Sequence, residues 1–116
     1  MFSMLKTGLL LAALGSLSLP QSAEAIPHVY TNLVLGIASS EACIQNAKRV
    51  AGKSGFTENQ EVLGEEGSQF FYADHRDKPL ALAVSCINKL GGASIAVSGM
   101  NNDETFAMFE RVYDDF

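Results

Sequence analysis

Basic residues are few in this chain: eight lysines and arginines stand against thirteen aspartates and glutamates, for a net charge of −5. They are scattered and form no stripe, which removes the electrostatic footprint a phosphate backbone requires and excludes nucleic acid as a partner. An anionic membrane surface is disfavoured on the same ground. Beyond residue 25 no apolar run approaches the roughly 20 residues of a membrane-spanning helix. Cysteine is scarce as well. Cys43 and Cys86 stand alone, more than forty residues apart, and so match neither the Cys-x-x-Cys of a redox pair nor the ligand spacing of a zinc site. The glycine-containing loops "GEEGS" and "NKLGGAS" do not lie between strand and helix in a phosphate-binding pattern. No repeat, low-complexity tract or long linker divides the chain. No cofactor and no metal are expected.

What is present begins with a secretory signal. Lys6 supplies positive charge, Gly8 to Leu19 form an apolar run, and Ala23-Glu24-Ala25 places small residues at the peptidase specificity positions. Pro20 ends the apolar helix shortly before the cut. Cleavage after Ala25 is expected, leaving residues 26–116 as one small domain in the periplasm or outside the cell. Lys6 and Glu24 depart together, so the charge stays at −5. His28 would then stand third from the new terminus, the position of an amino-terminal Cu(II) or Ni(II) site. Pro27 has no amide proton to give up, and the four-nitrogen site fails.

Periodicity organises the rest. "HVYTNLVLGIA" alternates as a strand, with Val29, Thr31, Leu33, Leu35 and Ile37 on one side. "SSEACIQNAKRVAGKSGF" turns to helical spacing, with Cys43, Ala47, Val50 and Ala51 on one face. Ser39 or Ser40 suits its N-cap, Glu41 its first turn, and Gly55-Phe56 its C-terminal cap. A short extended piece around Val62 and Leu63, a turn from Gly64 to Gly67, and a strand from Gln69 to His75 follow. Further strands are expected over Leu80 to Ile87 and Ala93 to Ser98. A final helix, capped by Asn101 or Asn102, places Phe106, Phe109, Tyr113 and Phe116 on one stripe. The order β-α-β-β-β-α predicts an α+β fold: an antiparallel sheet of about four strands with two helices packed on one face and polar residues lining the other.

Cys43 and Cys86 both point into the expected helix–sheet interface. In an oxidising compartment this favours a disulfide, which would stabilise so small a domain by roughly 4 kcal/mol through loop closure. In "YADHRDK" Asp74, His75 and Asp77 are the only ionisable cluster beside a histidine, a candidate acid–base or metal-ligating set. Strand alternation sends Asp74 and His75 to opposite faces, and a solvated turn shaped by Asp77 and Pro79 accounts for the same residues. The "SSEACIQNAKRV" helix, the "ALAVSCI" strand with the second cysteine and the "ASIAVSG" strand resemble a group of small exported bacterial proteins of unknown function. In that group a basic residue tends to precede the second cysteine, where this chain has Ser85. The resemblance implies no catalytic residue. The expected function is therefore a non-catalytic exported domain that binds a protein or another ligand by its open sheet face, an edge strand or loops, with Tyr30, Asn32 and Tyr72 as candidate solvent-facing contacts. An inhibitor or immunity protein for a secreted enzyme is one version. The alternative is a small hydrolase or metal-dependent enzyme at Asp74, His75 and Asp77.

Overall fold

The computed structural model describes residues 26–116; the expected signal segment lies outside the described residues. Strand β1 (His28–Leu35) leads into helix α1 (Ser40–Ser54). Strands β2 (Glu58–Glu65), β3 (Ser68–Asp74), β4 (Leu80–Ile87) and β5 (Gly92–Gly99) follow, with a short 3-10 turn at Asn88–Leu90, and helix α2 (Asn102–Asp115) closes the chain. The five strands form one sheet in the order β1-β5-β4-β3-β2, antiparallel at every pairing. The α+β class and the two helices agree with expectation. The sheet has five strands, because the piece around Val62 and Leu63 is a full eight-residue edge strand. All eight of its residues are exposed, so it carries no alternation of burial for a sequence pattern to register.

Local chemistry explains where each helix starts and stops. The Ser39 side chain accepts a hydrogen bond from the Ala42 N–H, at 3.1 Å, and Glu41 lies in the first turn, where an acid suits the positive end of the helix dipole. Helix α1 ends at Gly55, which takes the left-handed backbone (φ 88°) that disfavours other residues. Phe56 then folds back, its N–H bonded to the Ala51 carbonyl and its ring completely buried. Asn101 caps α2 by accepting from the Glu104 N–H.

Both helices pack on one face of the sheet. Phe71 and Ala73 of β3, Leu82, Val84 and Cys86 of β4, and Ile95 and Val97 of β5 meet Cys43, Ala47, Val50 and Ala51 of α1 and Met108, Phe109 and Val112 of α2. The disulfide Cys43–Cys86 staples α1 to β4 inside this layer. The buried stripe of α2 is Thr105, Met108, Phe109 and Val112; of the expected aromatic stripe Phe109 is buried, Tyr113 and Phe116 are partly buried against the core, and Phe106 departs from it. Phe106 is 44% exposed and packs edge-on against Tyr30, with ring centroids 5.0 Å apart. Phe106 and Phe109 pack on Tyr30 and the Tyr113 hydroxyl donates to the Leu33 carbonyl, so the aromatic residues of α2 cover β1. The helices are joined to each other by polar contacts: Arg49 donates to the Asp115 carbonyl at 2.8 Å, Arg111 to the Lys53 carbonyl at 3.1 Å, and Lys53 pairs with Asp115 at 3.1 Å.

The helix-free face as candidate functional site

Strand alternation gives every second residue to the opposite face, and among the described residues no helix covers that face. Its composition is not the polar lining expected. Cross-strand partners define its rows. Thr31, Ala96, Ala83 and Tyr72 lie side by side from β1 to β3, and Leu33, Ser94, Ser85 and Phe70 make the next row. The two central strands thus contribute only alanine and serine along the middle of the face. Larger side chains stand on either side: Val29, Leu33 and Leu35 on β1, each more than 60% exposed, and Phe70, Tyr72 and Leu63 on β3 and β2. Small residues between large ones make a trough two strands wide.

The trough deepens at its two ends. One depression, of about 530 Å³, is lined by Val29, Tyr72, Ala83 and Ala96 together with Asn59, Glu61 and Asp74. The other, of about 280 Å³, is apolar, with Leu33, Leu35, Ile87 and Leu90 around Ser85 and Ser94. One end is therefore acidic and the other aliphatic. Among the described residues no lysine or arginine lies in any of the five strands. The Asp74 carboxylate is held by a neutral partner, the Asn59 side-chain amide, at 2.9 Å. Arg76 turns to Asp77, and Lys78 lies 3.6 Å from Glu104 on the helix side. Among the described residues neither Glu61 nor Asp74 has an ion-pair partner, although Lys78 lines the neighbouring depression with Asp74.

The candidate contacts fall in different places. Tyr72 stands on the open face, 38% exposed, in the wall of the larger depression. Tyr30 does not face solvent with it. Its ring packs beneath Phe106 and Phe109 and its hydroxyl hydrogen-bonds to the Asn102 side chain, on the helix side. Asn32 shares that side of β1, and its exposed side chain accepts from the Leu33 N–H at 2.8 Å. The orientation of β1 is therefore opposite to the expected one. Both of its sides carry apolar residues, and the hydroxyl and ring of Tyr30 find better partners on α2 than Val29 or Leu33 would.

Both sheet edges carry local obstacles to strand addition. Successive residues of an edge strand direct their backbone groups alternately toward the neighbour and toward open solvent. On β1 the Leu33 N–H is taken by Asn32, and its carbonyl accepts from the Tyr113 hydroxyl at 3.1 Å. On β2 the edge is broken by an irregularity between Glu58 and Glu61, where Asn59 adopts φ 51°. Glu58, Glu61 and Glu65 add like charge along that strand.

Asp74, His75 and Asp77 do not converge. Asp74 lies on the open face with Asn59. His75 packs edge-on against the buried Phe56, with centroids 5.3 Å apart. Its Nδ1 accepts from the N–H groups of Asp77 and Lys78, at 3.1 and 3.2 Å. His75, more than Asp77 or Pro79, shapes this turn. Asp77 is exposed and paired with Arg76. No group of three histidine, cysteine, aspartate or glutamate side chains able to hold a metal ion occurs among the described residues. Comparison with known proteins finds no matching family model, no matching curated protein and no matching solved structure.

Proposed function

We propose that this chain is a non-catalytic exported domain that binds a protein or another ligand through the helix-free face of its sheet. The trough carries the reading. A face left open over five strands, floored by alanine and serine and walled by exposed aliphatic and aromatic residues, leaves apolar surface in water that a partner would cover. The occupied backbone groups of Leu33 on β1 and the irregular, glutamate-bearing β2 favour binding at the face over strand addition. Export rests on the signal-like residues 1–25, and the Cys43–Cys86 bond is compatible with an oxidising compartment. Blocking a secreted enzyme is the specific version favoured by the acidic end of the trough, since such charge speeds encounter with a basic target. The divergence of Asp74, His75 and Asp77 supports binding over acid–base chemistry at that turn.

The test uses two surface variants of the purified protein in capture experiments on extracts of the native cell envelope and growth medium. Ala96→Trp fills the middle of the trough, and Lys48→Glu alters the exposed side of α1. A partner retained by the wild type and Lys48→Glu but lost with Ala96→Trp is the expected result. Capture of nothing, or equal capture by all three, contradicts the proposal.

A further inference from the structure

The dimensions and charge of the trough narrow the partner, if the open face is the binding surface as proposed above. From β1 to β3 the walls stand three strand spacings apart, about 14 Å, which admits one α-helix of about 10–12 Å diameter lying along the strands. Eight-residue strands run for about 26 Å, the length of a helix of about 17 residues. The alanine and serine floor lets a helix approach closely without displacing anything, and the β1 and β3 side chains reach up along its flanks.

Charge selects among occupants. At one end Glu61 and Asp74 face the trough, Glu58 is the cross-strand partner of Asp74, and the strands supply no cation. A second copy packed face to face would bring the same carboxylates and no complement. An added strand would have to displace the Asn32 and Tyr113 bonds at Leu33 or pair against the glutamates of β2.

We propose that the trough seats an amphipathic helix of another protein, with aliphatic residues along its buried side and a lysine or arginine at the end that lies over Glu61 and Asp74. Its aliphatic residues fill the Leu33–Leu35–Leu90 end and lie along Tyr72 and Val29. Its cation supplies the counter-charge the acidic end lacks, where partial enclosure makes a pair worth more than on an open surface.

The experiment selects binders of the purified disulfide-bonded protein from a displayed library of random peptides about 17 residues long, the length set by the strands. Each enriched peptide is then titrated against the wild type, the Glu61→Gln/Asp74→Asn double variant and Ala96→Trp, with thermal melts confirming that all three are folded. The expected peptides carry aliphatic residues at i, i+3, i+4 and i+7 and a basic residue at one end. They bind the double variant about tenfold more weakly, as loss of a complementary charge predicts, and do not bind Ala96→Trp. Peptides with neutral or acidic ends, alternating extended sequences, or equal affinity for the double variant would overturn the basic helix while leaving the face as the binding surface. Peptides indifferent to Ala96→Trp would overturn the face itself. An empty selection, or a dimer that Ala96→Trp dissociates, would also overturn the proposal.

Discussion

The two faces of the sheet are built by the same strands from alternate residues, and side-chain volume separates them more than polarity does. On the covered face Phe71, Leu82, Val84, Ile95 and Val97 are almost completely buried. One position along, the same strands carry Tyr72, Ala83, Ser85, Ser94 and Ala96, which are half-buried or exposed. Helices pack well where large side chains interdigitate with theirs. A floor of alanine and serine gives a tethered helix nothing to grip, yet it leaves room for one that brings its own bulk. On the proposed reading stability and recognition fall on opposite sides of a single layer, and substitutions at adjacent residues should separate them.

The sharpest contrast is between neighbours on β3. Phe71→Ala removes a fully buried ring and should cost about 3–5 kcal/mol, read as a lower denaturant midpoint. Tyr72→Ala, one residue on but facing the trough, should change stability by less than about 1 kcal/mol while weakening partner binding. Equal stability losses would break the division between faces. Next comes the staple. Replacing Cys43 and Cys86 together with alanine opens a loop spanning 43 residues and should lower stability by about 4 kcal/mol, with no effect on binding to the protein that remains folded. A smaller effect is expected at the β1 edge. Asn32→Ala with Tyr113→Phe strips both guards from Leu33 and should cost about 1–2 kcal/mol. Sedimentation should then show concentration-dependent association through the freed edge; a strictly monomeric double variant would mean that these bonds do not guard it.

Sequence pattern revealed the strands whose two faces differ. "ALAVSCI" and "ASIAVSG" alternate large with small, and the position of Cys86 among the buried residues of β4 followed directly, as did its bond to Cys43. Strand β2, "ENQEVLGE", reads only as a short extended piece around Val62 and Leu63, because an exposed edge strand buries neither face and needs no alternation. The facing of β1 was reversed because "HVYTNLVL" is apolar on both sides, and only contact with α2 shows that Tyr30 belongs inside. In α2 Phe106 and Phe109 read as equivalent, and only the packing shows that Phe109 is buried with Met108 and Val112 while Phe106 stays exposed against Tyr30. The candidate site was partly visible. Tyr72 was placed on the open face, whereas the alanines and serines beside it read as an unremarkable solvent side. Their meaning emerges only from cross-strand register, which aligns them between the walls of β1 and β3.

The most direct test is to place a photo-crosslinking side chain at Ala96, in the middle of the trough, or at Lys48 on the outer side of α1, in protein expressed and exported by its native host. A discrete covalent adduct from position 96 and none from position 48 is the expected result. Adducts from position 48 alone would put recognition on the helical layer and contradict the assignment of binding to the open face.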